Sequence, residues 1–396
     1  MQLSSLLDRF AEPETLKMAK LGRELRAKGV DVIDLSLGEP DFDTPQHIKD
    51  AAIKAINDNF SHYTPVSGYP DVREAVCTKL KRDNNLDYKP ENIVVSTGAK
   101  QSLANTILAL AEEGDEVIIP TPYWVTYSEL VKIARASVVE IRTTPESGFK
   151  ITAAQLEAAI TPNTKVFMFS SPCNPSGAVY SKSELASLAE VFRKYPTIYI
   201  IADEIYEYIN FVGKHESIAQ FDDLKDRIIL INGLSKGFAM TGWRLGYIAA
   251  NVEIAKACEK LQGQFTSATC SIAQKAAVTA LTTDLKPSFE MTEEFTRRRA
   301  RVLEIIKDVP GFKCFKPEGA FYIFPDVSYY YGKSDGENTI TGAAEFSMYL
   351  LNIAHVSSVM GDAFGEPNCV RFSFANSMVN IERAWVRITD ALAKLK

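Results

Sequence analysis

Between about residue 90 and residue 250 the chain alternates short β-rich apolar runs with stretches of helical period, the pattern of a parallel sheet covered by helices. Expected strands lie at 93–96, 116–119, 138–141, 166–169, 198–202, 228–232 and 245–250, enough for a large sheet. Helices fit between them: 101–112 ends before Gly114, 183–195 stops before Pro196, and 252–262 precedes Gly263. A polar helix over 286–307 carries Glu293, Glu294, Arg297, Arg298, Arg299 and Arg301 and reads as the bridge to a second domain. Beyond it, short strands at 311–315, 321–325 and 370–374 and helices at 342–352 and 380–395 suit a smaller α+β domain. The chain's 396 residues exceed the roughly 250 to 300 at which single cores stop growing. We therefore expect an α/β protein with a large domain over 46–285 and a small one built from 1–45 together with 286–396.

Charge and cysteine usage exclude several function classes. Lys and Arg number 44 against 50 Asp and Glu, a net charge of −6, and the basic residues do not cluster, so no nucleic-acid partner is expected. The six cysteines, Cys77, Cys173, Cys258, Cys270, Cys314 and Cys369, contain no C-x-x-C pair. Neither a metal site nor a disulfide framework is expected from them, and a reducing cytoplasm is the expected setting. Asp8 and Arg9 stand where a signal peptide needs its apolar core, and no apolar run is long enough to cross a membrane, so neither export nor membrane insertion is expected.

Two nucleotide motifs are missing. There is no G-x-G-x-x-G, and Gly332-Lys333-Ser334 has Val327 where a P-loop requires glycine. Chemistry is carried instead by four segments that follow apolar strands. Ser235-Lys236 opens a run of small residues ending in Gly242-Trp243-Arg244; an amine in a confined, positively charged pocket can lose its proton and form a Schiff base with an aldehyde cofactor. Asp203 ends the run Ile198-Tyr199-Ile200-Ile201-Ala202, where open α/β sheets bind ligands, and a carboxylate there can keep a pyridine nitrogen protonated. Ser171-Pro172-Cys173-Asn174-Pro175 holds Asn174 in a rigid turn. Ser96-Thr97-Gly98-Ala99-Lys100 places free amides at a helix start, able to accept a phosphate. Taken singly, each has a plainer reading: a solvated lysine, a helix N-cap, a tight turn, a helix-packing turn.

Together, Gly38-Glu39-Pro40, Tyr63, Thr97-Gly98, Tyr123-Trp124, Asn174-Pro175, Asp203-Glu204-Ile205-Tyr206, Ser235-Lys236, Gly242-Trp243-Arg244-Leu245-Gly246 and Val370-Arg371-Phe372 occur in one order. The chain resembles the class I/II aminotransferases that depend on pyridoxal 5'-phosphate (PLP), fold type I, over nearly its whole length. Within that family it is most similar to the bacterial aspartate aminotransferases of subgroup Ib, whose Gly-Glu-Pro-Asp-Phe-Asp-Thr-Pro segment stands at 38–45.

The resemblance implies roles. Lys236 would carry PLP covalently and, once released by substrate, move a proton between the substrate's Cα and the cofactor. Asp203 would pair with the pyridinium, Asn174 and Tyr206 would bond the ring's 3-oxygen, and Trp124 would stack on the ring. Ser235 and Arg244, with amides near Gly98 and Ala99, would hold the phosphate, and Tyr63 would reach the phosphate of a neighbouring subunit, implying a homodimer. Arg371 would clamp the substrate α-carboxylate, with Gly38 nearby, and Lys100 would read the distal carboxylate of a dicarboxylic substrate. Trp124 and Asn174 would also border the substrate. The implied partners are amino acid and 2-oxo acid substrates, and the implied activity moves the amino group of aspartate, or a similar amino acid, to 2-oxoglutarate by a ping-pong cycle. Subgroup members that accept prephenate carry a lysine beside the N-terminal proline, whereas Phe10-Ala11-Glu12-Pro13-Glu14 is acidic and argues against that acceptor. The rival readings are an aromatic or prephenate specificity, a PLP-dependent lyase using the same Lys236, and a PLP-binding regulator without turnover.

Overall fold

A computed structural model describes residues 3–396; Met1 and Gln2, part of the segment and of the small domain expected above, lie outside the described residues. Seven strands form one sheet: β1 (Ile93–Ser96), β2 (Glu116–Pro120), β3 (Ser137–Ile141), β4 (Thr164–Ser170), β5 (Tyr199–Asp203), β6 (Ile228–Gly233) and β7 (Gly246–Ala249). All are those expected from the sequence, with ends displaced by at most two residues. Their order is β1-β7-β6-β5-β4-β2-β3, and β7 alone runs antiparallel to its neighbours. β6 is buried at every residue and β4 at all but one, because helices cover both faces, which is why these strands read as continuous apolar runs rather than alternating ones. Helix starts are equally local in origin. At the helix Lys182–Lys194, Ser181 accepts the amide of Glu184 while the Glu184 carboxylate accepts the amide of Ser181.

A second core gathers residues from both ends of the chain. Met18, Val32, Ile33 and Leu35 pack with apolar residues from Met291 to Leu395, among them Trp385. Ile33–Asp34 pairs in parallel with Val356–Ser357, and Tyr322–Ile323, Val370–Ser373 and Val359–Met360 form a small antiparallel sheet. Tyr206 and Ile209, just beyond β5, also pack into this core. The segment leaving the sheet at Asp203 thus connects the two cores.

Two expected elements differ. The helix expected to stop before Gly263 runs from Val252 to Phe265; Gly263 sits inside it against Val66, and the turn comes at Ser267, whose φ is 59°. An internal glycine weakens a helix by only about 1 kcal/mol relative to alanine, too little to end one already packed. No strand forms at 311–315, where Lys313 alone bridges Asp326. Gly311 takes φ 78°, and Phe312 is drawn into an aromatic group with Phe372 and Trp385. The apolar pattern there anchors a loop.

Candidate active site

Ser170, Asp203 and Gly233 end β4, β5 and β6, and the segments that follow them open onto a cavity of about 310 Å³ at the carboxyl ends of the parallel strands. Asn174, Asp203, Tyr206, Ser235, Lys236, Arg244, Ala99, Lys100, Trp124, Gly38 and Arg371 all line it. Residues separated by more than 300 positions therefore meet in one place. Gly98 lies just behind the wall, covered by Arg244.

The Nζ of Lys236 donates to the carbonyl of Gly38, and among the described residues it forms no ion pair. Burial pulls its pKa down to about 8, helped by Arg371 and opposed by Glu39. Asp203 is the complementary case. Its Oδ2 accepts from the Tyr127 hydroxyl at 2.7 Å and its Oδ1 from the Ile205 amide at 3.2 Å, but no cation pairs with it among the described residues. Burial raises its pKa to about 6, against those two hydrogen bonds.

Arg371 is 1% exposed. Its Nη1 donates to Asn174 Oδ1 at 2.9 Å and its Nη2 to the Ser36 carbonyl at 2.6 Å, while Nε has no partner. Its guanidinium lies 4.5 Å from the Tyr322 ring centre, and the Tyr322 hydroxyl lies 2.7 Å from that of Tyr206. Two of the guanidinium's five N–H donors are bonded to protein, and the side chain lines the cavity. Asn174 is oriented by the same contact, which leaves its amide NH₂ free to donate.

At the other end of the cavity, the helix Ala99–Leu110 begins without a side-chain cap, from Gly98 at φ 81°. A Cβ on Gly98 would stand 2.5 Å from Arg244 Nη2, and one on Gly246 would stand 2.2 Å from the Ala99 amide nitrogen. Glycine at both places lets the arginine and β7 close on the helix start. Arg244 donates to the Thr241 carbonyl at 3.0 Å and pairs with no carboxylate among the described residues. Lys100 sets its ammonium 4.9 Å from the Trp124 ring centre; desolvation, then the nearby Arg244, lower its pKa. Trp124 packs edge-on to Tyr127 with ring centres 5.8 Å apart.

Besides Gly98 behind the wall, Tyr63 is the expected residue that the cavity does not include. It is 99% exposed in the single chain and borders no part of the cavity. Sequence reasoning missed Tyr127, which bonds Asp203, and Tyr322, which bonds Tyr206; the first had a signal in its spacing, one helical turn after Trp124. Tyr322 had none, since Phe321-Tyr322-Ile323 reads as core strand. Thr15 and Leu16 of the helix Glu14–Ala27 also reach the cavity wall.

Comparison with known proteins agrees with this geometry. The family model for aminotransferase class I and II matches residues 30–388. A Cereibacter sphaeroides protein named aspartate/prephenate aminotransferase is 44% identical over 396 residues, covering 99% of each chain. A Rickettsia bellii protein named "Probable aspartate/prephenate aminotransferase" is likewise 44% identical, with 99% of each chain covered. Among solved structures, the aspartate aminotransferase from Rhizobium meliloti superposes with a TM-score of 0.96 at 41% identity, covering 100% of both chains. That of Thermus thermophilus with maleate gives 0.93 at 37%, covering 99% of this chain and 100% of the other. With one family model spanning both cores and relatives aligned from end to end, the chain belongs to the class I and II aminotransferases.

Proposed function

We propose that the cavity binds PLP and that the enzyme transfers the amino group of aspartate to 2-oxoglutarate. One observation carries the cofactor reading: a buried amine with no acid partner, Lys236, shares a cavity with a buried carboxylate with no cation partner, Asp203. Each is costly alone. An aldehyde takes the amine's charge away by condensation, a protonated pyridine nitrogen gives Asp203 its cation, and a phosphate suits an uncapped helix start beside Ser235 and an unpaired Arg244. When bound, PLP supplies an electron sink that acidifies the Cα–H bond of the amino acid.

The chain's own groups do the rest. Lys236, its pKa pulled down to about 8, would move a proton from the donor's Cα to the cofactor in the first half-cycle and from the cofactor to C2 of the acceptor 2-oxo acid in the second. Arg371 lines the cavity with Nη1 and Nη2 each bonded to protein only once, so its guanidinium can offer charged donors to an α-carboxylate, and Tyr206 and Asn174 present hydrogen-bonding groups to the ring's oxygen. Lys100, as a point charge on the wall, suits the distal carboxylate. Both substrates of a ping-pong cycle carry these carboxylates, so one set of residues serves both half-reactions.

We read residues 46–285 as the large domain and 1–45 with 286–396 as the small one, a division supported by the second core's composition. A homodimer is supported by the exposure of Tyr63, and a cytoplasmic setting by six unpaired cysteines. No described helix is long and apolar enough to cross a membrane. A second reading, use of prephenate, is favoured by the names of the relatives, whereas the acidic 10–14 segment, next to Thr15 and Leu16 on the cavity wall, argues against it.

The test is half-reaction kinetics read from the cofactor's absorption. Arg371→Ala should weaken every amino acid, whereas Lys100→Ala should cost about 10 to 100-fold in kcat/KM for aspartate and leave alanine and aromatic donors little changed. Equal losses for aspartate and an aromatic donor would remove the dicarboxylate assignment, and a prephenate assay decides the second reading.

A further inference from the structure

Asp203 and Tyr206 line the cavity, but Glu204 and Glu207 of the same turn do not; both are buried in a separate charged group. Lys79, 1% exposed, pairs its ammonium with Glu207, lies 4.0 Å from Asp83 and donates to Asn84 Oδ1 at 2.8 Å. Arg82 forks onto Asp83 at 2.6 and 2.9 Å. The chain turns back after Gly213, at φ 110°, and brings His215 Nε2 to 3.0 Å from Glu204 Oε2. The phenols of Tyr88, Tyr208 and Tyr247 complete the surroundings, that of Tyr208 donating to Asp83.

Glu204, Glu207 and His215 have the donor types of a metal site, with donor atoms within 4.8 Å of one another, but the Lys79 ammonium already sits against Glu207. The charge inventory points to a proton instead. Three carboxylates, Glu204, Glu207 and Asp83, face two fixed cations, Lys79 and Arg82, and an imidazolium at His215 balances the group. Buried charge that is left unbalanced is strongly unfavourable. His215 lines a polar cavity of about 370 Å³ with Asn84, Lys214 and Asp222, while both of its ring nitrogens are buried.

We infer that His215, protonated and paired with Glu204, is a positioning residue that anchors the 203–207 turn from outside the active-site cavity and so sets Asp203 and Tyr206 toward the cofactor. The inference rests on the PLP reading. The turn's backbone is held by the Ser171 amide on the Asp203 carbonyl at 3.1 Å, the Glu204 amide on the Ile231 carbonyl at 2.9 Å, the Ile205 amide on Asp203 Oδ1 at 3.2 Å, the Glu207 amide on the Glu204 carbonyl at 3.0 Å and the Ile209 amide on the Tyr206 carbonyl at 2.8 Å, and the Glu204–His215 pair adds a side-chain anchor on the face away from the cavity. Without the imidazolium, an uncompensated Glu204 stands next to Asp203, and like charge makes Asp203 harder to ionise. His215 itself experiences burial, which opposes its charge, and Glu204, which favours it; its pKa ends above the ordinary histidine value.

The chain has four histidines, so ¹⁵N-histidine NMR resolves each, with assignment by elimination through His47→Gln, His62→Gln and His355→Gln. In the unmodified protein His215 should titrate above the free-histidine range and shift its titration when PLP is added. Below about pH 6, His215→Gln should bind PLP about tenfold more weakly, the effect of one pK unit at Asp203, with the pH dependence of binding displaced upward. Glu204→Gln/His215→Gln, a neutral pair, should recover most of that loss. A His215 that titrates at or below the free-histidine value, or that ignores PLP, overturns the inference, as does unchanged PLP affinity in folded His215→Gln. Failure of the unmodified protein to bind PLP overturns the cofactor reading and the inference together, whereas binding with an unresponsive His215 overturns the inference alone.

Discussion

The residues that make the cavity reactive are the ones that make the empty fold less stable, and Asp203 shows this with a definite sign. Its pKa of about 6 lies above the ordinary aspartate value, so between about pH 4 and 6 the folded protein holds a proton that the unfolded chain has lost, and stability falls as pH rises through that window. Above it the full cost, on the order of 2 to 3 kcal/mol, remains until a cation arrives. Lys236 mirrors it: its pKa of about 8 lies below the ordinary lysine value, so its cost is present at neutral pH and fades as pH rises from about 8 to 10.5. Asp203→Asn without cofactor should therefore melt higher than the parent at about pH 7.5 and equal it near pH 4, while binding PLP far more weakly. Denaturant melts across that pH series check it, and a variant with no gain at neutral pH would mean that Asp203 is not an uncompensated charge. Asp203 ends an apolar strand and Lys236 follows one by three residues, yet singly they read as a helix N-cap and a solvated lysine; they were legible through the order of the whole set of motifs. Tyr127, which bonds Asp203, left only its spacing after Trp124 as a signal, and Tyr322, which bonds Tyr206, left none, since a buried tyrosine in an apolar run looks the same whether its hydroxyl serves a site or a core.

At the level of elements, the sheet was readable and its cofactor end was readable only in part. Central strands buried on both faces leave continuous apolar runs, and all of β1 to β7, including the partly exposed edge strand β3, fall within two residues of expectation. The loop at 311–315 misled because loop anchors such as Phe312 are as apolar as strand residues, and Gly263 misled because a glycine's meaning depends on whether its φ is positive. Gly98 is the opposite case, where the positive φ is the function. Its φ and ψ of 81° and 159° belong to a region essentially reserved for glycine, and its missing Cβ makes room for Arg244. Gly98→Ala should cost about 1 to 3 kcal/mol of stability through the backbone and, by displacing the guanidinium, lower PLP affinity by more than the stability loss explains. Thermal melts of the cofactor-free variant and fluorescence titration with PLP separate the two effects. A variant that is destabilised but binds PLP normally would remove Arg244 from the phosphate site.

On the scale of the whole molecule, the cavity exists because two cores are tied across it. Arg371 rises from the small sheet, donates to Ser36 near the N-terminus and to Asn174 beyond β4, and so fastens three distant parts of the chain at one guanidinium. The sequence could suggest that residues 1–45 join the C-terminal part, because they are too few to fold alone, but the pairing of Ile33–Asp34 with Val356–Ser357 depends on long-range packing that no local pattern encodes. Tyr63 shows where a single chain stops being the relevant unit. It is a large aromatic side chain, 99% exposed, on the stretch between the helices Gln46–Asn57 and Pro70–Asn84, and unlike Gly98, which lies just behind the wall, it is remote from the cavity lining. If its partner is the cavity of a second copy, each site draws Lys236 from one subunit and Tyr63 from the other. In a two-fold dimer of Tyr63→Phe with Lys236→Ala, both lesions then fall in one site and the other site is intact. Random mixing of the two variants should make about a quarter of all sites intact, so activity should rise above the average of the separate parents and approach that fraction of the unmodified enzyme. Subunit exchange followed by steady-state assay measures it, with light scattering to establish the dimer. Activity no higher than the parents' average, or full activity in a species that scatters as a monomer, would place Tyr63 outside the catalytic unit.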